Sequence, residues 1–174
     1  GVGEMMTETA GEVCDGFICH GFTTERYLRE VTLPALARGR AKAGKTMDGF
    51  EIAGPSFVVT GTTEKEIADA DSGTRQQIAF YGSTPSYKGV LELHGWHGLH
   101  EELNALSKKG GWVEMGKLIT DEILNTFAVV AEPEGIAPEL HRRYGDIIDR
   151  ISFYAPYKAD PARWSKVLEA LKSA

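Results

Sequence analysis

The chain has 174 residues, with 19 Lys+Arg against 25 Asp+Glu, 42% apolar residues, 20 glycines and two cysteines. That length suits one domain with a substantial core, because a chain of ~150 residues buries roughly 70% of its unfolded surface, and 25% charged with 42% apolar residues excludes a disordered chain. The net charge of −6 argues against nucleic acid or an anionic membrane as partner, and no apolar run reaches the ~18 residues of a membrane span.

Short apolar runs alternate with longer amphipathic ones, the signature of βα units around a parallel sheet. Met6, Ala10 and Val13 fall at helical spacing and predict a short helix over Met5–Val13. Gly16-Phe17-Ile18-Cys19 is the first buried-strand candidate. Thr23 and Thr24 can cap the next helix, whose apolar stripe is Tyr27, Leu28, Val31, Ala35 and Leu36. Pro34 sits inside that stripe and should kink or restart it; the region of Gly39 and Gly44 should close it. A second strand is expected over Phe50–Thr60, with a bend or bulge at Gly54-Pro55. Thr63-Glu64-Lys65-Glu66 is a capping box that opens another helix.

From about Gln76 to Leu124 the pattern is largely helical, broken at Gly82, Thr84-Pro85, Gly95, Gly98 and Gly110-Gly111. The stretch is too long for a simple crossover and predicts an elaborated helix with an inserted helical segment. Phe127–Val130 is the third strand candidate, followed by Glu132-Pro133 and a helix carrying Leu140 and Tyr144. Ile151–Tyr154 is the fourth. Asp160-Pro161 places an N-cap before a proline at the first helical position, and Trp164, Val167, Leu168 and Leu171 give the last helix its i, i+3, i+4, i+7 stripe.

Several residues could carry chemistry. His94, His97 and His100 recur at spacings of three, as metal ligands can. Gly95 and Gly98 disfavour a rigid helix there, so a solvated helix junction is the better reading and no metal is assigned. Gly1-Val2-Gly3 stands before a helix, where free amides and the helix dipole favour a phosphate. Asp15-Gly16 reads as a tight turn. His20 follows the first strand directly, at the carboxyl end where ligands bind in parallel α/β folds. Phe80–Tyr87 mixes aromatics with hydroxyls and reads as a helix break capped at Thr84, or as a pocket wall. Arg142, Arg143 and Arg150 read as a solvated face. Cys14 and Cys19 read as reduced packing thiols in a cytoplasmic protein.

The glycines Gly1 and Gly3 before Met5, followed by Thr7 to Cys19, resemble the glycine loop, helix and Asp-Gly-strand segment of the bacterial-luciferase-like superfamily, and within it the coenzyme F420-dependent oxidoreductases. Leu118–Ile123, Phe127–Val130 with Glu132-Pro133-Glu134, and Tyr27–Gly44 are similar to the same family. The resemblance covers nearly the whole chain and implies an α/β fold: the C-terminal half of a (β/α)8 TIM barrel with parallel strands, one partial domain over 1–174 with a helical insertion at about 76–124. Whole barrels of this kind run to ~250 residues. The chain would then be a fragment lacking the N-terminal half, its strands at 16–19, 50–60 and 151–154 being roughly the sixth, seventh and eighth. A partial barrel exposes two sheet edges and an apolar inner face, so a homo-oligomer through those edges or helices is expected, or cover from the 76–124 helices.

Carried over position by position, the family's cofactor-phosphate contacts fall on Val2, Gly3, Met5 and Met6, mainly through backbone amides. Substrate contacts fall on His20 and Thr23. Where relatives acting on sugar phosphates carry a lysine and an arginine, this sequence has no cation, with Thr126 in the arginine's place, so a sugar phosphate is not the expected substrate. Residues assisting hydride transfer fall outside this chain, which is expected to be inactive in isolation. The implied activity is hydride transfer between reduced coenzyme F420 and a small organic substrate. The alternatives are an FMN-dependent monooxygenase of the same superfamily, a non-catalytic assembly module, and last a His-rich metallohydrolase.

Overall fold

A computed structural model describes residues 3–158 and 160–173. Its elements in order are α1 (Glu4–Val13), β1 (Gly16–Ile18), α2 (Glu25–Tyr27), a π-helical turn (Leu28–Thr32), α3 (Leu33–Lys42), β2 (Glu51–Val59) and α4 (Glu64–Gly82). A 3-10 turn (Pro85–Tyr87), α5 (Lys88–Leu93), α6 (Leu99–Ser107), α7 (Trp112–Lys117) and α8 (Asp121–Phe127) follow. β3 (Ala128–Val130), α9 (Pro133–Tyr144), β4 (Arg150–Tyr154) and α10 (Pro161–Ser173) complete the described chain.

All strand pairings are parallel, and β2 is the hub. Ala53 pairs with Ile18 and with Arg150, so β1 and β4 lie on opposite edges of β2. Phe57 pairs with Ala128 and with Tyr154, so β3 lies on β1's side, further along. Among the described residues, β1 and β4 pair with no strand but β2. This is an α/β arrangement of partial-barrel type, as expected.

The two faces of the sheet are buried differently. Phe17, Cys19, Ile52, Val58 and Val129 pack under the outer helices with Leu36, Ile136, Leu140 and Val167. Side chains alternate along a strand, so Ile18 and Phe57 belong to the other face. Ile18 is 73% exposed while Phe57 is fully buried. The difference is the 64–127 segment: Phe57, Val59 and Ala128 are covered by Ile78, Leu103, Met115, Ile119, Leu124 and their neighbours. The helices thus roof the carboxyl end of the inner face and leave its amino end bare.

Local departures from the sequence reading have physical causes. No bulge interrupts β2 at Gly54-Pro55, whose register with β4 is continuous. Ala53 turns its carbonyl toward the β1 side, accepting from the Cys19 amide, so Pro55 turns its missing N–H to the same edge. There it falls in the gap between β1 and β3, where no ladder bond is lost. Phe127 ends α8 rather than starting β3, because Thr120 caps that helix and the Ala128 amide still bonds back to Leu124. Gly44, at φ +69°, does close α3, but Gly39 lies within it. Its role is close approach: a Cβ there would stand 1.9 Å from the Glu8 carbonyl oxygen of α1. Pro34 restarts the helix as expected, after a wide turn in which the Leu33 amide reaches Leu28. Arg143 is not a solvated residue: its side chain is 13% exposed and it donates to the Ala128 carbonyl and to Glu139.

Candidate cofactor and substrate site

The loop into α1 is built to leave amides free. Gly3 takes φ +83°, which only glycine adopts without strain. The first helical bond runs from the Thr7 amide to the Gly3 carbonyl, 3.1 Å, and Thr7 Oγ1 donates to the same oxygen at 2.9 Å. The amides of Glu4, Met5 and Met6 therefore have no helical acceptor and carry the positive end of the dipole. A Cβ on Gly3 would meet nothing within 4 Å, so a ligand has open access to that turn. Arg38 pairs with Glu4 and Glu8, and Lys42 with Glu8, which tethers α1 to α3 and offsets the Glu4 charge beside the free amides. Hydrogen bonds from Lys42 and Arg38 hold the Glu8 carboxyl below its ordinary range.

Of the expected cofactor contacts, Gly3 sits at this turn, and the side chains of Met5 and Met6 are exposed. Val2 lies outside the described residues. Gly3, Thr7, His20 and Thr23 line one small cavity of about 20 Å³ against Tyr27 and Phe17, room for a single water or ligand atom. The opening glycine loop and the carboxyl end of β1 are thus brought together. Among the described residues Thr23 Oγ1 is buried with no hydrogen-bond partner, an unmatched group of the sort a ligand atom or water would satisfy. Thr24, not Thr23, caps α2 by accepting from the Tyr27 amide.

His20 stands above the inner face at the carboxyl rim, among aromatics. Its ring stacks on Tyr87 and meets Tyr81 edge-on, both at 4.7 Å between centroids. The Phe22 amide donates to His20 Nδ1 at 3.0 Å, and His20 Nε2 lies 3.2 Å from the Tyr87 hydroxyl. Burial pushes the His20 pKa down and the Tyr87 phenol up. The Tyr81 and Tyr154 hydroxyls are bonded at 2.8 Å, and burial first, then that bond, raises the Tyr154 phenol. Sequence reasoning found His20 but assigned no role to Tyr81, Tyr87 or Tyr154. The mixed aromatic and hydroxyl content of Phe80–Tyr87 is the available signal: the helix does break there, after Gly82, with Thr84 making no side-chain cap bond, and Tyr81 and Tyr87 gather about His20.

The three histidines of the 94–100 segment diverge. His94 Nε2 lies 2.8 Å from Thr24 Oγ1 and its ring stacks on Trp96, whereas His100 bonds the Gly82 carbonyl. Gly95 and Gly98 both have positive φ and break the helix between them. Among the described residues no group of three or more His, Cys, Asp or Glu side chains could hold a metal ion. Likewise, among those residues, no helix is long and apolar enough to cross a membrane. Thr126 bonds the Glu122 carbonyl and faces a groove shared with Arg26, Arg142 and Arg143. Each of these arginines is already paired, with Glu30, with Glu139, and with Glu139 and carbonyls respectively.

The family profile described as luciferase-like monooxygenase matches residues 1–150. The chain belongs to this family. Among curated relatives of the luciferase-like chain, an uncharacterized protein of Mycobacterium tuberculosis is 51% identical over 150 residues, covering 86% of this chain and 44% of its own length. The 5,10-methylenetetrahydromethanopterin reductase of Archaeoglobus fulgidus is 29% identical over 157 residues, covering 86% of this chain and 42% of the relative. The chain therefore spans less than half the length of the curated relatives it matches. In fold it is similar to the coenzyme F420-dependent tetrahydromethanopterin reductase of Methanopyrus kandleri, with TM-score 0.68 and 20% identity over 87% of this chain and 42% of that one. It is also similar to an F420-dependent secondary alcohol dehydrogenase solved with an F420-acetone adduct, with TM-score 0.64 and 16% identity over 98% of this chain and 47% of that one. The parallel strands of the luciferase-like chain and its carboxyl rim carrying His20 agree with a segment of such a barrel.

Proposed function

We propose that this chain is the C-terminal, cofactor-holding part of an oxidoreductase that moves a hydride between reduced coenzyme F420 and a small organic substrate. The observation that carries the reading is the meeting of the Gly3 turn and His20 at one cavity at the carboxyl end of β1. Three relatives or neighbours named for F420 or methanopterin chemistry point the same way. The residues present fit the group: three amides without helical acceptors for its phosphate, unobstructed space at Gly3, and an unpartnered Thr23 hydroxyl nearby. Bound there, the deazaflavin would supply the hydride chemistry. The amides of Glu4, Met5 and Met6 would hold the phosphate, and Thr23 with the cluster around His20 would face the substrate on the rim. The inner-face aromatics would exclude water from that contact. The proposed substrate is not a sugar phosphate, because among the described residues the cations near Thr126 are already paired with carboxylates.

Titration of the whole protein with reduced and oxidised F420, followed by cofactor fluorescence, tests the reading. Saturable binding that Gly3→Val abolishes is the expected result, since a β-branched side chain at φ +83° strains the turn. Tight FMN binding with none of the deazaflavin would overturn it in favour of a flavin monooxygenase. The unpaired edges of β1 and β4 and the bare Ile18 further support self-association of the chain when alone. A monomer in sedimentation velocity with no dye-accessible apolar surface would refute that part.

A further inference from the structure

We infer that Tyr87 is the hydrogen-bond donor to a carbonyl oxygen of the substrate, with His20 as the positioning residue that fixes which way its hydroxyl points. The inference rests on the functional reading above and narrows it to a carbonyl-bearing substrate class. A backbone N–H can only donate, so the Phe22 amide bonded to His20 Nδ1 requires a lone pair on that nitrogen. The neutral imidazole must then carry its proton on Nε2, and Nε2–H donates to the Tyr87 hydroxyl oxygen 3.2 Å away. That oxygen being an acceptor, the phenolic proton is left to point elsewhere. Among the described residues the Tyr87 hydroxyl bonds no other protein group. The two other phenols of the cluster, Tyr81 and Tyr154, are committed to each other.

Position agrees with polarity. Alternation from Ile18 puts His20 on the inner-face side of β1, and Gly21 packs directly on the Tyr154 ring and Pro55. Tyr87 reaches the same place from the inserted segment, at the turn after Pro85, and remains half-buried rather than sealed. The burial that lowers His20's proton affinity favours the neutral form on which the chain of donors depends. The result is a one-way array, from the Phe22 amide through the imidazole to a phenol, ending in an unshared donor on the rim of the sheet. A donor in that place matches an acceptor with no proton of its own, such as a ketone or aldehyde oxygen.

Two measurements on the whole protein test this. In the first, histidine labelled with ¹⁵N is read by long-range proton–nitrogen correlation, where His20 should appear as the Nε2–H tautomer. In the second, cyclohexanone labelled with ¹³C at the carbonyl is titrated into the wild type and Tyr87→Phe, with methylcyclohexane as apolar control. The carbonyl stretch of the bound ketone should lie lower in the wild type than in Tyr87→Phe. Ketone affinity should fall roughly two- to tenfold, as expected for loss of one hydrogen bond, while methylcyclohexane affinity stays unchanged. An Nδ1–H tautomer, no ketone binding by the wild type, or equal loss for both probes would each overturn the inference. F420 titration alongside separates the two claims: failed cofactor binding with the tautomer and ketone results intact sinks only the functional reading.

Discussion

Gly39→Ala offers the most direct test of how α1 is held. A Cβ at position 39 would stand 1.9 Å from the Glu8 carbonyl oxygen and 2.8 Å from the Glu12 nitrogen, and Gly11 faces Leu36 with the same closeness, 2.3 Å to its carbonyl oxygen. These are backbone atoms, so no side-chain rotation relieves the clash. Restoring an ordinary contact of 3.4 Å moves α1 away from α3 by about 1.5 Å. Overpacking of this kind costs ~1–3 kcal/mol. A clash with backbone atoms takes the upper part of that range, ~2–3 kcal/mol, and alanine's better helix propensity returns ~1 kcal/mol, leaving a net loss of ~1–2 kcal/mol. Gly89→Ala in α5 is the control, because a Cβ there meets nothing within 4 Å and only the propensity gain of ~0.5–1 kcal/mol remains. Urea unfolding of the whole protein measures both, with an unchanged slope as the check that only stability has moved. The same shift carries the Glu4–Met6 amides outside the ~2.7–3.2 Å range of a hydrogen bond to a fixed phosphate. On the proposed reading, in which those amides hold the F420 phosphate, charge-assisted bonds worth ~1.5–3 kcal/mol each would be lost and F420 affinity should fall on the order of tenfold or more. A Gly39→Ala midpoint equal to or above wild type would show that the two helices do not touch through their backbones, and the account of α1 would fail.

Thr24→Val removes both the cap of α2 and the partner of His94, and should cost ~1–2 kcal/mol by urea titration; a change below ~0.5 kcal/mol would deny the cap. Glu66 accepts from the Thr62 amide, the Thr62 hydroxyl and Arg163, which hold its pKa down to about 2, the amide contributing most. A carboxyl depressed in the folded state adds stability that is complete above its ordinary value of 4.5 and lost as pH falls toward 2, so Glu66→Gln should flatten the acid limb of a midpoint-against-pH curve. His20 acts in the same sense for a different reason and at higher pH: burial disfavours its protonated form, so folding loses stability as pH drops through the ordinary imidazole value of 6.5. Its NMR titration midpoint should lie below 6.5, and one at or above that value would refute the buried neutral ring.

The elements most legible in the sequence were those whose signals are local. Thr63 and Asp160 cap the helices they were expected to cap, and Gly44 ends α3 because the αL backbone it adopts suits glycine. Strands β1, β2 and β4 were readable from short apolar runs bounded by Gly, Asp and Pro. What could not be read depended on partners distant in sequence. Gly39 looks like a helix terminator until α1 is placed 30 residues earlier against it, and Pro55 looks like a bulge until β1 and β3 are seen to leave a gap at its edge. Arg143 carries no local sign that the carbonyl of Ala128 is its acceptor. The site divides in the same way. His20 was found from its place after a strand, but Tyr87 lies 67 positions away, and only the folding of the inserted helices over the rim brings it within reach.

That roof also explains why a sheet with an open interior still offers a shaped site. Along the inner face of β2, Ala53 and Pro55 are half-exposed, whereas two positions later Phe57 is sealed. The transition is made by a continuous aromatic contact: Tyr154 stacks on Phe57 at 4.6 Å, and Phe22 stacks on Phe127 at 4.5 Å while also meeting Tyr87 and Tyr81. Phe22 is the residue whose amide fixes the His20 tautomer. The packing that anchors the inserted segment and the hydrogen bond that sets the polarity of the rim are therefore made by one residue, the first by its side chain and the second by its backbone. Loosening of the roof would therefore register at His20 as well as at the strand residues it covers.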